Sequence, residues 1–218
     1  MNKNKIAIIV LAALLLITGG FLYKTLDEMK NIKNQTTGEM KNVVLENLKT
    51  RRSIRSFKKM QVTDEDLNAV LEAGTYAPSG MNKQPSLMVV VQNPDTIAKS
   101  AKLNASVFGP VDDSNFKNPF YGAPTLVIVF ADTTSHTYLE DGSLVMGNLL
   151  NAAHAVGLGS CWIHRAREVF QMPEGKALMK QWGIPENYVG IGNCILGYPE
   201  GDYPVAKPRK ADYIRKVD

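Results

Sequence analysis

The sequence predicts a three-layer α/β sandwich, with helices on both sides of one sheet. Short apolar runs of strand length alternate along the chain with amphipathic segments of helix length, which is the pattern of such folds. At 218 residues, 44% of them hydrophobic and 21% charged, the chain is long enough to bury one substantial core. We therefore expect one main domain, without internal repeats.

The N-terminus carries an apolar segment of nearly membrane-spanning length. Residues 6–23 hold no charged side chain, and a helix of that length could almost cross a hydrocarbon layer. A cleaved signal peptide and an uncleaved anchor both fit, and the absence of an A-x-A-like cleavage site favours the anchor. The sequence thus predicts a membrane anchor or signal segment over residues 1–23, a polar linker over 24–38 and a folded domain over 39–218. The side of the membrane on which the domain lies is left open.

Capping residues and apolar periodicity place the elements of the domain in order. Threonine or asparagine ahead of a periodic apolar segment opens a helix, and glycine or proline closes it. Apolar runs of about 4–8 residues indicate strands, and those without polar interruptions indicate buried ones. The first half is predicted to begin with a short amphipathic helix that carries residues 43–48 and ends before Thr50. A second helix is opened by the Thr63–Asp66 capping box and ends at residue 77, and a third is opened by Asn93 and runs through residue 103. Buried strands are predicted over residues 87–91 and 125–131. The second half is predicted to contain a helix over 138–156 closed by Gly157, a strand over 160–164, a helix over 174–182 and a strand over 189–196.

A long connection lies between the helix opened by Asn93 and the strand predicted over residues 125–131. Residues 104–122 lack periodicity, and a loop of that length in a compact domain is often functional. Phe108, Phe116, Phe120 and Tyr121 either form an aromatic lid over a site or pack beneath the loop, and packing is the commoner outcome.

Composition and motifs exclude several classes of function. Beyond residue 33 the chain carries 20 basic and 19 acidic side chains. Its net charge is therefore close to zero, which argues against a protein that binds nucleic acid through bulk positive charge. Cys161 and Cys194 lie in apolar strand-like runs and the three histidines show no ligand spacing, which argues against a disulfide framework or a metal centre. The chain has no dinucleotide-binding glycine fingerprint, no P-loop and no nucleophile motif. A bound cofactor would therefore have to carry any reaction.

Two polar segments are candidates for binding such a cofactor. Residues 51–55 hold three arginines and a serine, and in an extended stretch Arg51, Ser53 and Arg55 point to one side, where guanidinium groups can grip a phosphate. From charge alone, a solvated basic turn is an equally good explanation. Residues 77–85 supply a hydroxyl, a glycine and two amides, which suit the edge of a polar heterocycle, although alone such a loop is more often a simple turn.

Four segments, taken in this order, resemble the nitroreductase family of flavoproteins: TRRSIRSF, APSGMNKQP, NLLNAAHAVGLGSCWI and the C-terminal GYPEG with KPRK. The resemblance covers residues 43–210. It implies an α+β fold, a three-layer α/β/α sandwich that forms an intertwined homodimer with each FMN bound between the two chains. It also implies NADH or NADPH as electron donor and a quinone, nitroaromatic or similar small molecule as acceptor.

The resemblance also implies roles for individual residues. One group would hold the FMN phosphate and ribityl chain: Arg51, Arg52, Ser53, Lys207 and Arg209. Arg55 would lie near flavin N1 and O2, where negative charge develops in the reduced ring. A second group would contact the ring and ribityl chain from the partner chain: Pro78, Ser79, Gly80, Asn82 and Gln84. A third group would bring its backbone amides towards flavin N5: Trp162, Ile163 and His164.

Two positions depart from the family pattern. The residue after Gln-Pro is commonly aromatic in the family but is Ser86 here, and Arg165 stands where glycine is frequent. Because of these two differences, the sequence does not predict the shape of the acceptor pocket. The prediction of a bound flavin is unaffected. No acid–base group is certain: Arg55 and His164 are the candidates, and a strand-end position is the simpler explanation for His164. His154, among alanines on a long helix, is expected to be structural.

We therefore expect an NAD(P)H-dependent oxidoreductase in which hydride passes through flavin N5 in a ping-pong cycle. One alternative is a membrane-tethered flavin-binding or sensing protein that does not turn over. Another is a related flavoenzyme that removes a halogen or reduces an activated double bond, with residues 104–122 choosing the acceptor. The sequence specifies neither the natural acceptor nor the choice between NADH and NADPH.

Overall fold

The computed structural model describes residues 22–33 and 42–217, and the chain divides into two units, Met1–Lys49 and Thr50–Asp218. Residues 22–33 are helical, and a second helix runs over residues 42–50, one residue past the end predicted before Thr50. Its apolar side chains Val43, Val44 and Leu48 are all more than half exposed. The domain boundaries predicted at residues 23 and 38 stay predictions.

The membrane localisation predicted from the sequence is contradicted. Among the helices in the described part of the chain, none has both the length and the apolar composition needed to cross a membrane. Most of the segment on which the prediction rested, residues 6–21, lies outside the described residues.

Four antiparallel strands form the sheet of the second unit. In chain order they are β1 (Ser86–Val91), β2 (Thr125–Asp132), β3 (Gly159–Ile163) and β4 (Tyr188–Gly197). In space their order is β1-β2-β4-β3, so β2 and β4 occupy the centre of the sheet. A register shift between Val129 and Phe130 interrupts the pairing of β2 with β4. Each predicted strand is confirmed, with bounds that differ by one residue at most ends.

Five α-helices accompany the sheet in the described part of this unit, and the first two begin at the predicted capping residues. They are α1 (Asp64–Thr75), α2 (Pro94–Ser106), α3 (Tyr138–Ala155), α4 (Ala166–Val169) and α5 (Pro173–Gln181). The Thr63 hydroxyl accepts a hydrogen bond from the Asp66 N–H at 3.2 Å, and the Asn93 side chain accepts one from the Thr96 N–H at 2.9 Å. These bonds satisfy N–H groups that the first turn of a helix leaves unpaired.

The hydrophobic core lies on both faces of the sheet. Leu126, Ile128 and Phe130 of β2 pack with residues of α2, α4 and α5 in one cluster. The alternate residues Val127 and Val129 pack with α1 and α3 in a second cluster. Because successive side chains of a strand point to opposite faces, one central strand contributes to both clusters. The result is an α+β fold with three layers, as predicted.

The cysteines follow the same division. Cys161 belongs to the first cluster and Cys194 to the second, and both are buried and free. They are small core residues, as their apolar surroundings in the sequence predicted.

Four elements differ from their prediction. Helix α2 continues to Ser106, three residues past its predicted end at residue 103, and the four-residue helix α4 was not predicted. The run 87–91 was predicted to be a buried strand, but β1 is an edge strand in which Leu87 and Val90 are each 37% exposed. Helix α1 ends at Thr75 rather than at residue 77, because the Tyr76 and Ala77 N–H groups bond the carbonyls of residues 73 and 74 as a turn. A uniformly apolar run does not reveal whether a strand has neighbours on both sides.

Candidate functional site

The arginine-rich segment runs along the free edge of β3. Ser53 forms a parallel bridge with Ser160, and the Ile54 N–H donates to the Ser160 carbonyl at 2.9 Å. Ile54 and Phe57 are buried, whereas Arg55 is exposed. The apolar residues therefore fix the segment to the sheet and leave its polar side chains accessible.

A cavity of about 280 Å³ lies between this segment and the C-terminal tail. Ser53 and Arg55 line one side of it, and Glu200, Asp202 and Tyr203 line the other. The cavity thus combines a guanidinium and a hydroxyl with two carboxylates. A phosphate bound here would interact favourably with the arginine side of the cavity and unfavourably with the tail side.

Tyr203 and His154 connect the tail to the arginines. The Arg52 N–H donates to the Tyr203 hydroxyl at 3.3 Å, and this hydroxyl lies 2.9 Å from Nδ1 of His154. The other ring nitrogen, Nε2, lies 2.9 Å from the Thr50 hydroxyl. Burial and the positive charges of Arg51 and Arg52 lower the pKa of His154, so the imidazole is largely neutral at pH 7. His154 therefore joins α3 to two other segments in its neutral form.

The loop before β1 has an unusual backbone. Met81, Asn82 and Gln84 have φ angles of 53°, 54° and 49°, in the left-handed region that non-glycine residues rarely adopt. Such conformations cost about 1–3 kcal/mol each and tend to cluster at ligand-binding sites. The side chains of all three residues are exposed. The strain is consistent with a loop shaped to present its amides.

Asp141 anchors this loop from helix α3. Its carboxylate is 4% exposed, accepts the Gly80 N–H at 3.0 Å through Oδ1 and accepts the Thr137 hydroxyl at 2.8 Å through Oδ2. Within the loop, the Ser79 hydroxyl accepts the Gln84 N–H at 3.0 Å. Asp141 was not predicted from the sequence. It lies four residues before Val145 and therefore on the same, apolar face of the helix, where a carboxylate is buried only if it has hydrogen-bond partners. That position was a signal for a structural role.

A second cavity, of about 160 Å³, lies behind the loop. Ser79, Gln84, Ser86 and Asp141 contribute its polar lining. The Ser86 hydroxyl is buried and has no hydrogen-bond partner among the residues that the structure describes. Serine thus leaves a small polar space at the position where the sequence resemblance leads us to expect an aromatic ring.

Hydrogen bonds from two asparagines hold the end of β3. Asn193 of β4 donates to the carbonyls of Ile163 and His164 at 3.2 and 3.4 Å, and Asn104 of α2 donates to the His164 carbonyl at 2.8 Å. The Trp162 indole packs against Gly192, where a Cβ would lie 2.5 Å from its Nε1. This strand end is therefore fixed on its carbonyl side, while the His164 side chain is exposed.

Arg165 follows directly and adopts the left-handed conformation, with φ 81° and ψ 6°. Glycine adopts this conformation without strain, which explains why glycine is frequent at this position in the family that the sequence resembles. The Arg165 guanidinium donates from Nη1 to Oε1 of Glu168 at 2.9 Å and lies 4.5 Å from the centre of the Phe108 ring.

The aromatic residues of the long loop divide into two pairs. Phe120 is 1% exposed and Phe116 packs against the core, as expected for residues beneath a loop. Phe108 and Tyr121 are 76% and 45% exposed, and each faces an arginine guanidinium. Phe108 lies next to Arg165, and the Tyr121 ring centre lies 5.8 Å from the Arg55 guanidinium. Each end of the loop is therefore in contact with an arginine of the candidate site.

A family model for the nitroreductase family matches residues 48–198, which span most of this geometry. The chain belongs to the nitroreductase family.

Relatives with known names include both reductases and a deiodinase. A solved nitroreductase from Bacteroides fragilis with bound FMN is 33% identical, with a TM-score of 0.73 over 80% of this chain and 98% of that one. An iodotyrosine deiodinase from Thermotoga neapolitana is 32% identical over 77% of this chain and 94% of its own length. An NADPH-flavin oxidoreductase from Vibrio harveyi is 28% identical over 79% of this chain and 72% of its own length.

In the present chain, the predicted site residues do not converge at one place. Arg51 to Arg55 lie beyond β3, at one edge of the sheet, whereas the loop at residues 78–84 leads into β1 at the opposite edge. The two cavities share no lining residue. Lys207 and Arg209 are exposed in the irregular tail, with no hydrogen bond or ion pair to the arginine-rich segment among the described residues.

Proposed function

We propose that this member of the nitroreductase family is an FMN-dependent oxidoreductase that accepts hydride from NADH or NADPH and reduces a quinone, nitroaromatic or similar small molecule. The observation that carries the proposal is the family match over residues 48–198, which includes the arginine-rich segment, the strained loop and the end of β3. When bound, FMN supplies hydride transfer at its N5 atom, and the chain supplies binding, orientation and charge.

The phosphate and ribityl chain are assigned to Arg51, Arg52 and Ser53. Arg51 and Arg52 are partly buried, and burial of His154 together with their positive charges lowers the pKa of His154. The two arginines thus place positive charge at this edge of the sheet. Guanidinium groups in such a field fit a phosphate dianion. Lys207 and Arg209 of the tail are proposed to complete the clamp.

Arg55 is assigned to the flavin ring. Its guanidinium is exposed and lies 5.8 Å from the centre of the Tyr121 ring, so a flat cation is held at the surface next to the long loop. A fixed positive charge at N1 and O2 stabilises the negative charge of the reduced ring. The contribution of Arg55 is electrostatic and requires no proton transfer.

The position of the two polar segments supports a homodimeric site. Strands β2, β4 and β3 lie between β1 and the Arg51 to Arg55 segment. At the usual spacing of about 4.8 Å between neighbouring strands, the segment is about 19 Å from β1. Pro78, Ser79, Gly80, Asn82 and Gln84 therefore face a different edge from the arginines of the same chain. A second copy can supply the loop to the first copy's arginines, and the first can supply its loop in return.

The end of β3 is proposed to approach N5 through the backbone of Trp162, Ile163 and His164. Because Asn104 and Asn193 fix the carbonyls of this strand end, the orientation of its peptide groups is set before any ligand binds. The exposed His164 side chain is a candidate proton donor, although its strand-end position is the simpler explanation for its exposure.

A spectrum of the full-length protein tests the proposal. We expect flavin absorption bands in the purified or FMN-reconstituted protein, and anaerobic addition of NADH or NADPH should bleach them within a catalytic time. Reoxidation by a quinone or nitroaromatic should follow without a ternary complex. A protein that cannot be loaded with FMN would contradict the proposal, and one whose bands persist with both nucleotides would favour a sensing function instead.

Dehalogenation is the second candidate, because the deiodinase from Thermotoga neapolitana is matched over 94% of its length. A panel of halogenated, nitro and quinone acceptors with one electron donor separates the two activities. Release of halide at a rate matching donor consumption would favour the deiodinase-like reaction.

A further inference from the structure

The left-handed backbone conformation of Arg165 indicates that its side chain has a functional role. An L-residue in the left-handed region costs about 1–2 kcal/mol relative to right-handed backbone, a cost that glycine does not have. Arg165 nevertheless adopts φ 81°. Such strain persists where the surrounding structure or a function of the side chain outweighs it.

The guanidinium of Arg165 is only partly engaged. It makes one hydrogen bond to a described residue, from Nη1 to Glu168, and the two side chains are 37% and 35% exposed. An ion pair so open to solvent contributes about 0–1 kcal/mol and does not by itself offset the backbone cost. The remaining N–H groups of the guanidinium face no acceptor among the described residues.

The Phe108 ring lies against this guanidinium, with 4.5 Å between the ring centre and the Arg165 Cζ. The ring is 76% exposed, although an aromatic residue in a loop normally packs beneath it. A planar cation beside an exposed ring offers a second flat molecule both a stacking surface and a fork of donors.

The pair also lies beside the reacting centre of the proposed function. Arg165 directly follows Trp162, Ile163 and His164, the strand end assigned to flavin N5, and Phe108 belongs to the long loop whose other end contacts Arg55. If this strand end approaches N5 as proposed, a substrate at N5 lies near Arg165, and Phe108 packs against that arginine.

We propose that Arg165 and Phe108 form a specificity site for an aromatic substrate that carries an oxyanion, either a carboxylate or a phosphate ester. This inference rests on the proposed function, whose substrate class it narrows. Arg165 binds the oxyanion through its free N–H groups, and Phe108 stacks on the aromatic part. A smaller residue at position 165 would leave the flavin accessible but remove this preference.

Glu168 is the internal competitor for the same guanidinium. Burial alone would raise the pKa of its carboxyl, but its own backbone N–H, the Arg165 hydrogen bond and charge, and the His164 charge together lower that pKa. Glu168 is therefore ionised at neutral pH. Its Oε2 is buried without a partner among the described residues, so the carboxylate is incompletely satisfied. An incoming oxyanion has to compete with it for Arg165.

Equilibrium binding to the full-length protein tests this site without relying on turnover. Titration calorimetry with benzoate, phenyl phosphate and benzamide compares two anions with a neutral analogue. We expect the wild-type protein to bind at least one anion more tightly than benzamide, and Arg165→Gln to lower that preference about tenfold. The Glu168→Gln variant should bind the anion more tightly than wild type. Comparison of benzoate with phenyl phosphate shows which oxyanion the site takes.

Two variants serve as controls. Lys102→Gln removes one positive charge from a side chain that is 58% exposed and paired with Asp113, and it should leave anion binding unchanged. Arg165→Gly relieves the backbone strain, so its melting temperature should not fall although its anion preference is lost. Equal anion binding by Arg165→Gln and Lys102→Gln, or no anion preference in the wild type, would overturn the inference.

Turnover separates this inference from the proposed function. With NADH or NADPH, reduction of 4-nitrobenzamide tests the flavin reaction alone, and the ratio of kcat/KM for 4-nitrobenzoate to that for 4-nitrobenzamide tests the site. Failure to reduce either compound contradicts the proposed function, while the calorimetric comparison still decides the role of Arg165. Reduction of both with a ratio unaffected by Arg165→Gln contradicts the inference only.

Discussion

Gly190→Ala is expected to lower the free energy of unfolding by about 3 kcal/mol, because overpacking against an immovable group is among the more costly core changes. A Cβ at residue 190 of β4 would lie 2.5 Å from the carbonyl oxygen of Ala166 and 2.7 Å from its carbonyl carbon. These are backbone atoms of the first residue of helix α4, so no rotamer change relieves the contact. FMN affinity should fall as well, since the end of β3 would shift. Urea unfolding followed by circular dichroism measures the first effect.

Gly192→Ala is the matched control on the same strand. There the added Cβ would lie 2.5 and 2.7 Å from Nε1 and Cε2 of Trp162, which are side-chain atoms that can move. We expect a loss of about 1 kcal/mol and a change in tryptophan fluorescence. A loss at residue 192 as large as that at residue 190 would contradict the distinction between a backbone and a side-chain contact.

Asp141→Asn is expected to weaken FMN binding by about tenfold or more, because hydrogen bonds to a charged group contribute about 1.5–3 kcal/mol. The carboxylate accepts from both the Gly80 N–H and the Thr137 hydroxyl. The amide of asparagine carries no negative charge, so both hydrogen bonds lose their charge-assisted strength, even though the Thr137 hydroxyl can turn to accept from the new NH2 group. The loop that contains Asn82 and Gln84 should then lose its strained conformation. Fluorescence titration with FMN measures the change.

Glu140→Gln provides the control for this substitution. Glu140 precedes Asp141 on α3, is exposed and forms no hydrogen bond or ion pair with a described residue. Its replacement should leave both FMN affinity and the melting temperature unchanged. If Asp141→Asn binds FMN as tightly as Glu140→Gln, the anchored loop does not contribute to the flavin site.

Local signals predicted most of the fold. The Thr63 capping box and Asn93 open helices where the sequence placed them, and the apolar run at residues 125–131 forms the buried central strand β2. Helix α4 spans four residues, Ala166–Val169, too few to show periodicity, and was missed. The edge position of β1 was missed because strand order depends on long-range pairing.

The candidate site was predicted less completely. Residues 51–55 and 78–84 were identified as polar segments, but their location at opposite edges of the sheet depends on the tertiary fold. Arg165 was recognised only as a departure from the family pattern, because its left-handed backbone and its contact with Phe108 depend on the tertiary fold.

In the proposed homodimer, each FMN site combines the arginine-rich segment of one chain with the strained loop of the other. Co-expression of an Arg51→Ala, Arg55→Ala chain with an Asn82→Gly, Gln84→Gly chain, each carrying a different affinity tag, allows the mixed dimer to be isolated. Glycine preserves the positive φ angles of the loop and removes its amides. We predict that the mixed dimer holds one site with both lesions and one intact site, and so binds a single FMN with wild-type affinity. A mixed dimer that binds FMN as weakly as both parent variants, while the wild type binds it tightly, would contradict a site shared between chains.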